Sequence, residues 1–286
     1  MIAPATIAMI AVVGFPLGRL LVNSFQDFGL RALFESGLHF VGFRNYEALF
    51  ADPDFGTVVI RSVLFTASLV AVTILIGALL AELMTRISKP VQTMITVVMV
   101  AAWAVPTVAA TVVWNWLFEP LYGLADVILT KFGVFGDWTS FAWFHHQTSA
   151  FLAIGALIVW QAVPFIMLTL YAAQSQIPAE YYEAAVLDGA GGWARWRSVT
   201  FPFIRQVLAL VTIMSIIWDF TAFNQIWILT QGGPDGQTRT VGIWNYLLAF
   251  ANNNFGEASA LAVIVLLFLM AVSSLYIRVL VRKEEP

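Results

Sequence analysis

Six stretches of this chain run for about twenty residues or more with almost no charge: Ala3–Val22, Val58–Met84, Thr93–Phe118, Ala150–Ala173, Phe203–Leu229 and Ala258–Ile277. At about 1.5 Å of rise per helical residue, each is long enough to cross a hydrocarbon core of about 30 Å. Charge enters them near their ends, as at Arg19, Arg61 and Glu82, and once near a centre, at Asp219. Inside a bilayer every backbone N–H and C=O must be satisfied within the protein, so separated apolar spans cross as helices. The pattern predicts an all-α membrane protein with six transmembrane helices, residues 1–286 forming a single transmembrane domain. Composition agrees, with 60% hydrophobic and 11% charged residues, against about 25% charged in soluble domains. So little charge cannot clothe a soluble enzyme of this length. A net charge of −3 removes the basic face that nucleic-acid binding needs. The absence of cysteine removes disulfides, thiolate metal sites and a cysteine nucleophile. The first stretch lacks a basic leader and an A-x-A cleavage site, so it reads as a span and not as a signal peptide.

The basic residues set the orientation. Arg86, Lys89, Arg195, Arg197, Arg205, Arg278, Arg282 and Lys283 fall in one set of connections: Thr85–Gln92, Gln174–Arg205 and the tail from Arg278. Arg31, Arg44, Arg61, Lys131 and Arg239 fall in or beside the other set, Asn23–Thr57, Glu119–Ser149 and Thr230–Glu257. Positive residues favour the inner side, which makes the first set cytoplasmic and places both termini inside. In the outer set, Phe135-Gly136-Asp137-Trp138 and Ala142-Trp143-Phe144-His145-His146 predict short helices or turns at the membrane interface, where aromatic rings prefer to sit. With no third ligand near His145 and His146, no metal site is expected.

The one long inner connection lies between spans four and five. It reads Gln174-Ser-Gln-Ile-Pro178-Ala-Glu-Tyr-Tyr-Glu183-Ala184-Ala185-Val-Leu-Asp188-Gly189-Ala-Gly-Gly192-Trp193 and continues to Phe201-Pro202. Pro178 suits the first turn of a helix, where its missing N–H is no loss, and Glu180 and Glu183 suit the positive end of the helix dipole. Gly189, Gly191 and Gly192 end that helix, and a second short one resumes at Trp193–Val199. Ala184 and Ala185 leave a smooth face for close approach. This is the layout of a docking element for a cytoplasmic partner; an amphipathic loop covering the bundle is the plainer alternative. Gly189-Ala-Gly191-Gly-Trp-Ala194 matches G-x-G-x-x-A, but a helix precedes it, and a dinucleotide fingerprint requires a strand there.

Glu183-Ala184-Ala185, three residues, Gly189, nine residues, Val199, one residue and Phe201-Pro202 closely resemble the EAA loop of ABC importer permeases. Val199 and Phe201 stand where Ile and Leu are usual, and Arg205 where many members carry a second proline. Gly42-Phe-Arg-Asn45-Tyr46, Trp160-Gln-Ala-Val-Pro164-Phe, Leu229-Thr-Gln-Gly-Gly-Pro234 with Thr238, and Phe255-Gly256-Glu-Ala258-Ser259-Ala260 are similar to segments of the carbohydrate permeases in particular. The resemblance implies a type I importer in the cytoplasmic membrane of a prokaryote. Its partners would be a second homologous permease subunit, two ATP-binding subunits and an extracytoplasmic sugar-binding protein. It implies that Glu183, Ala184, Ala185, Asp188, Gly189 and Gly192 belong to the helix that couples to the ATPase.

Hydrolysing ATP needs a G-x4-G-K-[ST] loop. Lys89, Lys131 and Lys283 follow Ser, Thr and Arg, so none completes one. This chain is expected to bind no cofactor and to be no enzyme, with ATP and Mg on the partner subunits. The candidate sugar path is polar and aromatic: Asn115, Trp160, Gln161, Asp219, Phe223 and Asn224, with Gln225, Trp114, Trp116 and Trp218 beside them. Sugars stack their C–H faces on rings and place hydroxyls on amides and carboxylates. Asn115 and Gln161 are equally suited to holding helices together, and tryptophans near span ends to anchoring at the interface. Ser215, Phe223 and Thr230 share the helical face of Asp219 at about 100° per residue. Pro106 and Pro164 are expected to kink their spans. Lys and Arg are absent from the span centres, which favours a neutral di- or oligosaccharide. Two rival readings remain at this point: an ion-coupled secondary transporter using Asp219, and a membrane enzyme using Asp219 with His145 and His146.

Overall fold

The computed structural model describes residues 3–30, 39–133 and 138–281. Arg31, the turn expected at Phe135-Gly136-Asp137, and the tail residues Arg282 and Lys283 lie outside the described residues.

The chain is helical nearly throughout, as the apolar stretches require. The first crossing, Ala3–Asn23, consists of α1 (Ala3–Met9) and α2 (Phe15–Asn23) joined by a π-helical turn at Ile10–Gly14. Pro16, with no N–H to offer, falls at that junction and shifts the hydrogen-bond ladder. Other crossings are α4 (Asp54–Met84), α8 (Gln147–Gln174) and α14 (Phe255–Val281). By length and composition, five helices of the described residues are fit to cross a membrane, and a bent pair makes a sixth.

Two spans depart from the expected single helices. The third is α5 (Lys89–Trp103) and α6 (Thr107–Leu117), bent by 95° at the residues between them. Pro106 is the N-cap of α6 and cannot continue the ladder of α5. Pro164 behaves differently: α8 runs on past it, with the proline buried in the helix packing. The fifth span is α11 (Phe201–Phe220) and α12 (Asn224–Thr230), interrupted at 221–223, where the Thr221 hydroxyl donates to the Ile217 carbonyl at 2.8 Å. Bonding back to the preceding turn offers the backbone an alternative to the next helical turn.

The described chain divides into two compact units, Met1–Ser62 with Arg239–Leu275 and Val63–Thr238 with Tyr276–Pro286. In the first, two motifs far apart in sequence meet. β1 (Gln26–Asp27) and β2 (His39–Phe40) pair antiparallel, and α3 (Arg44–Ala51) follows them. Asn45 Nδ2 donates to the carbonyls of Ser24 and Gln26, each at 2.9 Å, and Tyr46 Oη donates to Ser24 Oγ at 2.7 Å. Gly256, at the start of α14, lies against the same place: a Cβ there would sit 2.6 Å from the Gln26 carbonyl oxygen and 2.9 Å from Asn45 Nδ2. Truncating Asn45 leaves two carbonyls without their donor. Asn45→Ala is expected to destabilise this unit by about 1–3 kcal/mol, read as a lowered melting temperature of the purified protein. Near α13 (Val241–Tyr246), Ser62 Oγ accepts from the Val241 N–H at 2.8 Å, and Arg61 donates to the Arg239 carbonyl at 3.1 Å.

In the second unit α5, α8 and α11 pack with the later part of α4 around Ala81, Met84, Ile166, Met167, Leu170, Ile204 and Val211. In lipid the association of helices depends on close packing, which small residues permit. Gly77 on α4 faces Ile166 and Gly155 on α8 faces Leu69 and Phe65. α7 (Leu124–Lys131) is held by Asp126, which accepts from Trp143 Nε1 at 2.6 Å and from the Phe141 N–H at 3.2 Å.

Candidate functional site

The EAA-like segment folds as a helix, a tight turn and a second helix. Pro178 is the N-cap of α9 (Ala179–Leu187), one residue before the first turn in which it was expected. α9 ends in two bonds: the Ala190 N–H to the Ala185 carbonyl and the Gly189 N–H to the Val186 carbonyl, both 2.9 Å. Gly189 takes φ +77°, the left-handed conformation this closing turn requires. Gly192 does not end α9 but begins α10 (Gly192–Arg195), and Gly191 is its N-cap. A π-helical turn, Trp196–Thr200, then leads into α11.

α9 contains no buried residue. Glu183, Ala184, Asp188, Gly189 and Gly192 are exposed, and Leu187 is 88% exposed although it is apolar. The helix is nonetheless tied down on one side. Ala185 and Tyr182 pack on the core cluster, and Tyr182 Oη shares a hydrogen bond of 3.0 Å with Thr200 Oγ1. Thr200 and Val199 are buried. The result is a short helix with one face anchored to the base of α11 and the other open. The anchoring hydroxyl pair was not foreseen from the sequence, since nothing in the spacing sets Tyr182 against a residue beyond two turns.

The polar and aromatic residues of the spans fall into separate groups. Gln225 on α12 donates from Nε2 to Gln161 Oε1 on α8 at 3.1 Å. On α6, Trp114 Nε1 donates to the Ala153 carbonyl at 2.9 Å, and its ring stacks on Trp160 at 6.2 Å between centroids. Phe223 stacks on Trp227 at 5.7 Å. Asn115 and Asn224 are exposed. Asp219 lies one residue from the end of α11 and is 6% exposed; its Oδ2 has no hydrogen-bond partner among the described residues, nor does Ser215 Oγ one turn earlier. The Thr230 hydroxyl meets that of Thr238 at 2.8 Å, and Thr238 donates to the Gly233 carbonyl at 2.6 Å. No described contact joins Asp219 to Gln161, Asn224 or the histidines. Among the described residues no cluster of potential metal ligands occurs.

Gln161 and Gln225 thus act as a bridge between helices. A double-mutant cycle of Gln161→Ala and Gln225→Ala is expected to return a coupling of about 0.6 kcal/mol, the average for such bonds inside membrane proteins. Thermal unfolding of the four proteins measures it, and strict additivity would mean that the two amides do not pair.

Residues 73–285 match the family model described as binding-protein-dependent transport system inner membrane component. The chain is 37% identical over 285 residues to the diacetylchitobiose uptake system permease protein DasB of Streptomyces coelicolor, covering 100% of this chain and 87% of that one. It is 31% identical over 289 residues to the sulfoquinovosyl glycerol transport system permease protein SmoG of Agrobacterium fabrum, covering 99% and 90%. Its fold is that of a chain in a bacterial ABC transporter involved in the import of the acidic polysaccharide alginate. There the TM-score is 0.80 at 18% identity, over 100% of this chain and 95% of the other. The apolar spans, the helix–turn–helix at Glu183–Gly192 and these matches together make this chain a multi-pass cytoplasmic-membrane protein belonging to the inner-membrane permease family of binding-protein-dependent ABC transporters.

Proposed function

We propose that this chain is one permease subunit of an ATP-driven importer that moves a neutral di- or oligosaccharide into the cell by alternating access. The observation that carries this reading is α9: a short helix with an exposed face, closed by a left-handed glycine and anchored to α11 on its other side. Such a helix is suited to sit in a cleft of an ATP-binding subunit and to pass its movement to span five. Glu183, Ala184, Ala185, Asp188, Gly189 and Gly192 form this coupling element. It faces the cytoplasm with both termini, as the distribution of Lys and Arg favours.

The sugar reading is supported by the relatives, whose names give diacetylchitobiose and sulfoquinovosyl glycerol as their solutes. Asn115, Trp160, Gln161, Asp219, Phe223 and Asn224 are the path residues, and the lack of Lys and Arg at the span centres favours a neutral solute. The complete transporter holds a second permease, two ATP-binding subunits carrying ATP and Mg, and an extracytoplasmic binding protein. Residues 1–286 serve it as one transmembrane domain without a cofactor of their own.

The test is charge reversal on the open face of α9. Glu183→Arg in the assembled transporter is expected to lower uptake and binding-protein-stimulated ATP hydrolysis by about tenfold or more, about 1.4 kcal/mol of lost docking. Unchanged hydrolysis and uptake would remove the coupling role. Uptake that survives ATP depletion but collapses with a proton ionophore would instead favour a proton-coupled carrier using Asp219.

A further inference from the structure

A cavity of about 590 Å³ opens between the α4–α5 turn, the end of α8 and the α9–α10 segment. Arg86, Lys89 and Arg195 line it against a single carboxylate, Glu82. That carboxylate is already engaged, accepting from Arg86 Nη2 at 2.5 Å and from Nε at 3.1 Å. Lys89 and Arg195 form no ion pair with a described residue, so the cavity carries excess positive charge. α5 begins at its rim with no side-chain cap from Ser88, and the dipole of that helix adds to the positive potential.

Gln174 lines the same cavity. It is 4% exposed, and its Oε1 has no hydrogen-bond partner among the described residues. A buried acceptor is costly unless a donor meets it. The two features ask for different things of one occupant: the cations ask for an anion, and Gln174 asks for an O–H. A carboxylate or sulfate ion supplies only the first. A phosphate ester with free hydroxyls supplies both, and the cavity is within the size range of small-molecule sites, about 300–1,000 Å³.

We propose that this cavity binds a polyol phosphate ester, with the phosphate on Lys89 and Arg195 and a hydroxyl donating to Gln174 Oε1. The site lies where the apolar runs of α4 and α8 end, at Met84 and Gln174. Two sources of the ester therefore reach it, the glycerol-phosphate headgroup of an anionic lipid and a soluble sugar or glycerol phosphate. Tyr182 and Gly192 also line the cavity, so an occupant ties the α4–α5 turn to α9 and α10.

The test uses the assembled transporter in nanodiscs. One arm compares discs of phosphatidylcholine alone with discs of phosphatidylcholine and phosphatidylglycerol, and native mass spectrometry counts retained phosphatidylglycerol. The other titrates phosphatidylcholine discs with sn-glycerol 3-phosphate and with glucose 6-phosphate by calorimetry. Saturable binding is expected in one arm, which identifies the source. Binding should fall about tenfold or more in the double variant Lys89→Gln/Arg195→Gln and in Gln174→Glu, which keeps the side-chain size. If the double variant does not assemble, Gln174→Glu alone decides. Binding unchanged in the assembled variants, or no saturable binding of any of these esters to the unmodified transporter, overturns the site. Neither ATP nor a neutral sugar enters the measurement and no transport is read, so its outcome is separate from that of the transport reading.

Discussion

Gly189→Val is expected to reduce uptake and stimulated ATP hydrolysis of the assembled transporter by about tenfold or more while leaving the spans folded. Gly189 holds φ +77°, and the two bonds that close α9 pass through it and Ala190. For a residue with a Cβ this conformation costs about 1–2 kcal/mol, and a β-branched side chain is among the worst suited to it. Nothing lies within 4 Å of a Cβ built at Gly189, so the penalty is purely conformational. The chain avoids it by opening the turn, which moves α10 relative to α9 and misplaces Glu183 and Asp188. A graded series separates this from general damage. Asn tolerates the left-handed region and is expected to retain most activity at 189, Ala less and Val least. Gly191→Ala serves as control, because Gly191 has φ −68° and open space around it. Full coupling in Gly189→Val would show that the turn geometry is not needed.

Gly77→Leu is expected to have the largest effect on stability. A Cβ at Gly77 would lie 2.6 Å from Ile166 Cγ2 and 2.8 Å from Ile166 Cβ. Ile166 is 1% exposed and Met167 is 0% exposed, so neither has room to retreat. Even Gly77→Ala must push α4 from α8, at a cost of about 1–3 kcal/mol for overpacking. A leucine adds three further carbons at the same place. The yield of monodisperse protein in detergent and its melting temperature are the measurements. Gly56→Ala on the same helix is expected to be neutral, since nothing lies within 4 Å of that position. Ile166→Ala combined with Gly77→Ala should recover part of the loss. A stable, well-behaved Gly77→Leu protein would mean that α4 and α8 do not approach as closely as they do here.

The crossings were legible in the sequence because solvation by lipid is a local property: an uncharged run of sufficient length reports itself. What interrupts a crossing is not local. Pro106 and Pro164 look alike in the sequence, yet one ends a helix at a 95° bend and the other is absorbed in α8. The difference lies in the neighbours, since Val163, Pro164, Ile166 and Met167 are all buried against other helices. The same holds for Thr221, which reads as one polar residue in an apolar span and proves to mark its break. In the EAA-like segment the helix start at Pro178 and the turn at Gly189 were readable, because each depends on backbone conformation a few residues wide. The bond from Tyr182 to Thr200 was not, because it depends on how α9 folds back. Asp219 was conspicuous from the sequence alone, but whether a buried carboxylate has a partner is a property of the packed structure. Asn45 and Gly256 drew notice only through resemblance, and their meeting explains why each residue type is needed there.

The bend in the third span has a consequence for the bilayer around it. α5 has 15 residues, about 22 Å at about 1.5 Å each, short of the roughly 30 Å of hydrocarbon that a straight crossing must traverse. If α5 starts at one edge of the slab, its far end stops inside. There the elbow closes α5 only in part, the Ala104 N–H donating to the Val100 carbonyl at 2.9 Å and the Val105 N–H to the Ala102 carbonyl at 3.3 Å. The other terminal carbonyls of α5 and the first amides of α6 have no continuing ladder, and bare peptide groups do not persist in hydrocarbon. The elbow at 104–106 is thus a fixed point of hydration built into the backbone. Water or a polar group must reach it.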